Sequence, residues 1–258
     1  MKPTALVFFD LDGTLLNQHS EVEEEVVEAL EAVKAKGGVP IIATGRTNIE
    51  FEHIADATGI DSSVSMNGQF ITYEGTEVYR NVLPSESLKR LKAATDEREL
   101  GLSFYTNKWV KTSVENETLH RAYAFIHADI PEIDPKAHLV DDIFMALVLN
   151  EDPSHDDYFR TSFPEFSFYR NTPFSMDTII KGNSKATGIR QLQKAMGLES
   201  VPTYAFGDGP NDLEMFQVAD YSVAMGNGIA ALKERASFIS ASNIDGGIVK
   251  GLDYFNLI

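Results

Sequence analysis

The chain has 258 residues, no cysteine, and 39 Asp and Glu side chains against 22 Lys and Arg, which gives a formal charge of −17. Its length fits one large domain or two small ones, and 43% hydrophobic residues are typical of an ordinary globular protein. The absence of cysteine excludes disulfides, Cys-ligated zinc and a thiol nucleophile, and the acidic balance argues against nucleic acid or an anionic membrane as a partner.

The first element is a continuous apolar run at residues 5–9, which predicts a strand buried on both faces. The run ends at Asp10 and is too short for a signal-peptide core or a membrane span. No other stretch approaches ~18 consecutive apolar residues. We therefore expect a cytoplasmic protein, either a monomer or a small homo-oligomer.

Strands and helices then alternate up to about residue 60. We expect a helix to begin at Ser20, because Ser20 and Glu23 have capping-box spacing and apolar residues recur at helical intervals from Val22 to Val33. A second buried strand follows at 39–44, and another helix ends near Gly59. This order predicts a parallel sheet with helices on both faces.

The alternation stops after a short hairpin at about 70–79. Residues 82–180 contain strands and helices without strict alternation, and the alternation returns after Lys181 and Gly182. We predict an α/β fold with a doubly wound parallel-sheet core at 1–81 and 181–258 and an inserted α+β domain at 82–180. The insert should contain strands at 102–105, 109–112, 144–149, 166–169 and 176–180, and helices after Pro84, near 115–127 and near 153–163.

The first buried strand ends at Asp10 and Asp12, which are followed by Gly13 and Thr14. Ligands of open α/β sheets bind at the carboxyl ends of the strands, and a glycine there lets the chain turn sharply. A carboxylate in this position can ligate Mg²⁺, attack phosphorus or exchange a proton. Two acids in isolation are equally compatible with a solvated turn, but the buried strand before them favours a functional site.

Two further segments offer groups for a phosphate. The second strand ends at Thr44, Gly45 and Arg46, where a hydroxyl, backbone amides and a guanidinium meet the start of a helix. Lys185, near the start of a later helix, can neutralise a phosphoryl oxygen, with Lys181 as the competing candidate. In isolation, the first segment is more often a strand–helix turn and the lysine more often a surface residue.

A fourth segment follows the predicted strand 203–206. Residues 207–212 read Gly-Asp-Gly-Pro-Asn-Asp, so that Asp208, Asn211 and Asp212 present oxygens from a loop constrained by glycine and proline. Hard cations prefer such oxygen-rich sites. The type and position of these residues favour a cation site over a structural turn.

These four segments together resemble the motifs of the haloacid dehalogenase-like phosphatases, and within them the Cof-like sugar-phosphate phosphatases. The resemblance extends over essentially the whole chain, and the core motifs do not depart from the family pattern. Weaker similarities are Met-Asn-Gly at 66–68, Ala-Met-Gly-Asn at 224–227 and Asp-Gly-Gly at 245–247. The resemblance implies a Rossmann-like core, and it implies that the insert is the family's cap domain, which excludes water and reads the leaving group.

The resemblance also implies roles for individual residues. Asp10 would be the nucleophile that forms an aspartyl-phosphate, and Asp12 would protonate the leaving oxygen and then activate water. The implied Mg²⁺ site consists of Asp10, Asp12 through its backbone carbonyl, Asp208 and Asp212, with Asp212 and Asn211 near a metal-bound water. The implied phosphate site consists of Thr44, Gly45, Arg46, Lys185 and Asn211.

The expected function is that of a Mg²⁺-dependent phosphatase for small phosphorylated metabolites such as sugar phosphates. A phosphohexomutase would use the same nucleophile, but its cap must hold a second phosphate, and the insert carries ten Lys and Arg against seventeen Asp and Glu. A receiver-like signalling module also carries acids at strand ends, but the insert and Asp12 argue against it. A catalytically silent phosphate-binding protein ranks last, since no motif is degraded.

Overall fold

We describe residues 2–126 and 128–258 in a computed structural model. The chain divides into two compact units. The first contains the residues up to Tyr79 together with Ser184–Ile258, and the second is Arg80–Asn183. Their boundaries lie at 79/80 and 183/184, whereas the sequence predicted domain limits at 81/82 and 180/181. The role of the second unit as a cap domain stays a prediction.

Strands and helices are numbered separately in chain order. The first unit begins with β1 (Ala5–Phe9), α1 (Glu24–Ala35), β2 (Gly38–Ala43), α2 (Asn48–Thr58), β3 (Ser63–Ser65), β4 (Phe70–Tyr73) and β5 (Thr76–Arg80), whose last residue belongs to the second unit. The second contains α3 (Ser85–Asp96), β6 (Gly101–Tyr105), β7 (Val110–Thr112), α4 (Glu117–Phe125), β8 (Glu132–Ile133), β9 (Met145–Leu149), α5 (Asp156–Ser162), β10 (Phe166–Thr172) and β11 (Ser175–Ile180). The chain returns to the first unit with α6 (Lys185–Met196), β12 (Thr203–Gly207), α7 (Leu213–Val218), β13 (Tyr221–Ala224), α8 (Ala230–Lys233), β14 (Phe238–Ile239) and α9 (Gly247–Tyr254).

The sheet of the first unit has eight strands in the order β14-β13-β12-β1-β2-β3-β4-β5. Its first six strands are parallel, and β4 runs antiparallel to β3. Strand β1 lies between β2 and β12, which come from opposite ends of the sequence. The predicted doubly wound parallel sheet is therefore confirmed.

Helices cover both faces of this sheet, and the alternation of β1 shows why. Val7 and Phe9 pack into one core with α1, α2 and α9, whereas Leu6 and Phe8 pack into the other with α6, α7 and α8. A strand that is apolar at every position is needed where both faces are covered. Within the described part of the chain, no helix is both long enough and apolar enough to cross a membrane.

The predicted start of the first helix is wrong. Helix α1 begins at Glu24, and its N-cap is Glu23, not Ser20. The Asn17 side chain accepts hydrogen bonds from the backbone N–H groups of His19 and Glu21, and the Ser20 N–H bonds to the Asn17 carbonyl. Such local side-chain bonds compete with helix formation, so the segment before Glu23 forms a turn instead.

The second unit is a mixed α+β arrangement around a six-stranded sheet in the order β10-β11-β9-β6-β7-β8. All strand pairs are antiparallel except β7 with β8. Its core packs Leu88 and Leu91 of α3 and Phe159 of α5 against Phe104 and Val148 of the sheet. The predicted helix at 153–163 is a 3₁₀ turn at Pro153–His155 followed by α5. The predicted helix at 115–127 is shorter in the structure, and residue 127 lies outside the described residues.

One close contact fixes the start of α6. An ideal Cβ on Gly188 would lie 2.4 Å from Val64 Cγ1 and 2.9 Å from Gly68 Cα. A Cβ on Gly68, whose φ is +87°, would lie 2.4 Å from the Ser184 carbonyl oxygen. The backbone of α6 therefore lies directly against the turn after β3, at a separation that only glycine permits.

We predict that Gly188→Ala destabilises the protein. Alanine favours a helix over glycine by about 1 kcal/mol, but the crowded Cβ should lower the free energy of unfolding by about 1–3 kcal/mol. Lys194→Ala, an exposed site on the same helix, is the control and should change it by less than about 0.5 kcal/mol. Urea unfolding followed by circular dichroism measures both. Stabilisation by Gly188→Ala would contradict the close contact.

Candidate active site

The predicted motifs meet at the carboxyl ends of the central strands of the first sheet. Asp10 directly follows β1, Thr44 follows β2, and Asp208 follows β12. The three strands are parallel neighbours, so their carboxyl ends lie side by side, and the Asp10 N–H bonds to the Phe206 carbonyl of β12 at 3.0 Å. The topology therefore places residues nearly 200 positions apart in one site. Open α/β sheets bind their ligands at these carboxyl ends.

Three carboxyl groups form the centre of this site. Asp10, Asp208 and Asp212 each offer an oxygen within 4.8 Å of the others. Asp10 and Asp212 are buried. The Asp212 carboxylate accepts the backbone N–H groups of Asp208 at 3.0 Å and Gly209 at 2.9 Å, and Thr14 Oγ1 donates to Asp208 Oδ1 at 3.0 Å. This oxygen-rich group is of the kind that holds a hard divalent cation.

Lys185 is fully buried against these carboxylates, with 0% of its side chain exposed. Its Nζ donates to Asp10 Oδ1 and, at 2.7 Å, to Asp212 Oδ1. Lys185 is the first residue of α6, and the Ser184 side chain caps the helix by accepting from the Thr187 N–H. The cap and the close contact of α6 together fix where the ammonium group lies.

Burial and mutual charge both shift the pKa values of the groups in this cluster. Burial raises the pKa of Asp10 well above its usual value, Lys185 opposes the rise, and Asp212 adds to it. Burial also raises the pKa of Asp208. Burial alone would lower the pKa of Lys185, but Asp10 and Asp212 raise it above its usual value. One ammonium does not balance three carboxylates, so the site fits a bound divalent cation.

Asp12 and Arg46 lie beside this cluster and bind each other. Arg46 Nε donates to Asp12 Oδ2 at 3.0 Å, and the guanidinium also contacts Asp12 Oδ1. The Asp12 side chain is 62% exposed, and its carboxylate is not one of the three clustered groups. The sequence assigned the Arg46 guanidinium to the phosphate site. In the structure it binds Asp12, the residue predicted to act first as general acid and then as general base.

The other predicted phosphate residues occupy different surroundings. Thr44 is buried, and its Oγ1 accepts the Arg46 N–H at 3.0 Å. Gly45 follows it in the same loop. Asn211 is exposed in the 3₁₀ turn Pro210–Asp212, and its side chain forms no hydrogen bond with the described part of the chain. Lys185 and Thr44 therefore lie deep in the site, Gly45 is partly exposed beside Thr44, and Asn211 lies at the rim.

Asn227 and Asn243 hold the loop after β1 in place through hydrogen bonds. The sequence assigned no role to either residue. Asn227 Nδ2 donates to the Gly13 carbonyl at 2.8 Å, its Oδ1 accepts the Asn243 N–H at 3.1 Å, and Asn243 Nδ2 donates to the Leu16 carbonyl at 2.7 Å. Gly13 has φ +78°, and a Cβ there would lie 2.5 Å from Asp208 Oδ2. The weaker motif at 224–227 marked Asn227 in the sequence, but the sequence alone does not indicate that Asn227 binds the loop after β1.

The sequence profile of the haloacid dehalogenase-like hydrolases matches residues 7–252. The chain therefore belongs to this family, and the resemblance seen in its motifs is confirmed.

Individual relatives are similar to this chain over nearly its full length. The chain is 32% identical over 254 residues to a Bacillus subtilis (strain 168) protein named "Putative phosphatase YkrA", with 98% of each chain covered. A crystal structure of a hypothetical protein from Geobacillus kaustophilus HTA426 superimposes with a TM-score of 0.92 at 35% identity, covering 98% of this chain and 99% of that one. The sugar phosphatase BT4131, of HAD subclass IIB, superimposes with a TM-score of 0.83 at 28% identity, covering 99% and 100%.

We predict that Mg²⁺ stabilises the folded protein. A ligand at a hundredfold excess over its dissociation constant adds about 2.7 kcal/mol to stability, which raises Tm by several degrees in a chain of this size. Asp208→Asn should remove most of this rise while leaving both carboxylate partners of Lys185 in place. Asp253→Asn, an exposed acid in the same unit, is the control and should retain it. An equal Mg²⁺ effect on all three proteins would argue against a cation in this cluster.

Proposed function

We propose that this protein is a Mg²⁺-dependent phosphoric monoester hydrolase that acts on small phosphorylated metabolites, with sugar phosphates as its substrate class. The observation that carries the proposal is the buried contact of Asp10 with Lys185 at the end of the central strand, with Asp12 two residues further on. Similarity to the sugar phosphatase BT4131 supports the substrate class. The choice of sugar phosphates rests on this similarity, because the chemistry of the core site does not distinguish between phosphate esters.

In the proposed first step, a carboxylate oxygen of Asp10 forms a bond to phosphorus while the bond from phosphorus to the leaving oxygen breaks. Asp12 gives its proton to that leaving oxygen, so that an alcohol departs and an aspartyl-phosphate is left. Asp10 suits the attacking role because it directly follows a strand buried on both faces, which restricts its position. Asp12 suits proton exchange because most of its side chain is exposed, so it can exchange a proton once it leaves the Arg46 guanidinium.

In the proposed second step, water attacks the phosphorus of the aspartyl-phosphate. Asp12, now a carboxylate, takes a proton from that water, and the bond from phosphorus to the Asp10 oxygen breaks. Inorganic phosphate leaves, Asp10 is a free carboxylate again, and Asp12 is again protonated. The two carboxylates thus have separate tasks, which requires separate surroundings.

The remaining groups would bind the phosphoryl oxygens. Lys185 already lies against Asp10, and the Thr44 hydroxyl and the Gly45 amide are at the neighbouring strand end. Asp10, Asp208 and the Asp12 backbone carbonyl would hold Mg²⁺, with Asp212 nearby. When bound, Mg²⁺ would supply positive charge against the phosphoryl oxygens. These local charges have to overcome the field of a chain with a formal charge of −17.

We expect Asp10→Asn to lower the turnover of 4-nitrophenyl phosphate and of a hexose phosphate at least about a thousandfold, because the nucleophile is lost. Phosphate release with Mg²⁺ present measures this. A cooperative melting transition, even at a lower temperature than that of the wild type, shows that the variant is folded. Turnover of the variant at the wild-type level would refute the assignment of Asp10.

We expect Asp12→Asn to discriminate between leaving groups. A poor leaving group such as a sugar alkoxide needs the proton, so kcat/KM for a hexose phosphate should fall by about 10²–10⁴. Nitrophenolate leaves without protonation, so kcat/KM for 4-nitrophenyl phosphate should fall much less. Equal losses for the two substrates would contradict Asp12 as the general acid.

The products of a hexose 1-phosphate test the reaction class. We expect free inorganic phosphate and free hexose, formed only with Mg²⁺ present. An isomeric hexose phosphate without free phosphate would identify a mutase instead. A stable phosphoprotein without turnover would favour a signalling module.

A further inference from the structure

The turn after β3 contains an asparagine in an unusual conformation. Asn67 has φ 53° and ψ 42°, in the left-handed region, and the preceding Met66 also has a positive φ of 47°. Asparagine tolerates this region better than most residues, but two consecutive non-glycine residues in it are rare. Strained backbone of this kind is found at functional sites, where the surrounding structure maintains it.

The Asn67 side chain is also largely enclosed. It is 7% exposed, and its amide forms no hydrogen bond with the described part of the chain. Neither polar atom of this amide is fully enclosed, so a ligand that enters beside it can form a hydrogen bond with it.

The position of this amide relates it to the phosphate loop. The Asn67 N–H donates to the Thr44 carbonyl at 3.0 Å, and the Met66 N–H donates to the Arg46 carbonyl at 3.0 Å. A Cβ on Gly45 would lie 3.2 Å from Asn67 Nδ2 and 3.5 Å from Oδ1. The Asn67 side chain therefore lies directly against Gly45, whose missing side chain leaves room for it.

The same turn lies against the helix that carries Lys185. Gly68, the next residue, is packed on Ser184 and Gly188 at the start of α6. The turn is thus held between the Thr44 loop on one side and α6 on the other. Asn67 has its place fixed by the two elements that the proposed function assigns to the phosphate.

We infer that Asn67 is a further substrate-binding residue, whose Nδ2 donates a hydrogen bond to a phosphoryl oxygen. This inference rests on the proposed phosphatase function. A primary amide has two donor hydrogens and can serve an anion without adding charge. The left-handed turn holds the amide beside Gly45 before substrate arrives, so little side-chain entropy is lost on binding.

The test is inhibition by inorganic phosphate and by orthovanadate, measured with 4-nitrophenyl phosphate and Mg²⁺. Asn67→Gly retains the left-handed backbone but removes the amide, and the inhibition constants should rise about tenfold, as for loss of one hydrogen bond to a charged group. Asn67→Asp retains the shape of the side chain but presents an oxygen to the anion, so they should rise by about a hundredfold or more.

A matched control is available in the chain. Asn256 has φ 56°, is exposed and follows α9, and Asn256→Asp makes the same chemical change at another left-handed asparagine. Phosphate and orthovanadate should inhibit this variant as they inhibit the wild type. Melting curves of all variants separate a binding effect from a loss of folding, and Asn67→Asp tests the inference even if the glycine variant is unstable.

Two failures are distinguishable. If the wild type does not hydrolyse phosphate esters with Mg²⁺ present, the proposed function is wrong. If the wild type is active and Asn67→Asp is inhibited as strongly as the wild type, the function stands, and Asn67 only maintains the turn. A change in the KM of sugar phosphates without a change in phosphate inhibition would also overturn the inference, since it would indicate a contact with the leaving group.

Discussion

The site depends on one buried ammonium group. Lys185 is fully enclosed and contacts the carboxylates of Asp10 and Asp212, two residues from opposite ends of the sequence. A buried charge is tolerated only when it is paired and hydrogen bonded. Removing either carboxylate would leave the ammonium partly uncompensated, which is strongly unfavourable. The contact therefore joins the loop after β1, the loop after β12 and the first turn of α6 into one structure.

The geometry of α6 follows from that requirement. The ammonium reaches Asp10 only if the first turn of the helix lies close to the sheet edge, and the contact of Gly188 with Gly68 and Val64 makes this possible. The capped start at Ser184 then fixes the direction of the helix. Two glycines with no chemistry of their own thus help to set the position of the ammonium group.

Asp10 and Asp12 illustrate how one loop supplies two kinds of carboxylate. Asp10 is buried and faces the ammonium, whereas Asp12 is largely exposed and is held by the Arg46 guanidinium. The difference arises because the chain turns at this point, with Gly13 in a positive-φ conformation that no other residue would fit beside Asp208. Different surroundings are the condition under which neighbouring acids can differ in protonation and in task.

Much of this was readable from sequence, because strand ends follow from local patterns. The apolar run before Asp10 and the alternation of strands and helices predicted a parallel sheet. The topology of that sheet places Asp10, Thr44 and Asp208 side by side at the carboxyl ends of neighbouring strands. Strands β3, β8 and β14 have only two or three residues, too few to give a pattern. The start of α1 was missed because the Asn17 side chain organises the preceding turn.

Pairings between distant residues were not readable, because they depend on how loops from different strands meet. The guanidinium of Arg46 binds Asp12, although its position favoured a phosphate role. Lys185 was predicted to face a phosphate, but its contact with two carboxylates requires knowledge of where α6 begins in space. Asn67 was visible only as a weak motif, since its left-handed conformation and its place against Gly45 arise from tertiary packing.

The central claim is that Asp10 is phosphorylated during turnover. The direct measurement is to quench Asp12→Asn in acid during the turnover of 4-nitrophenyl phosphate, reduce the protein with borohydride and analyse its peptides by mass spectrometry. Loss of the base for the second step should let the intermediate accumulate, and reduction converts an aspartyl-phosphate into homoserine. We predict homoserine at position 10. Conversion at another residue, or phosphate release with Asp10 unmodified throughout, would contradict the claim.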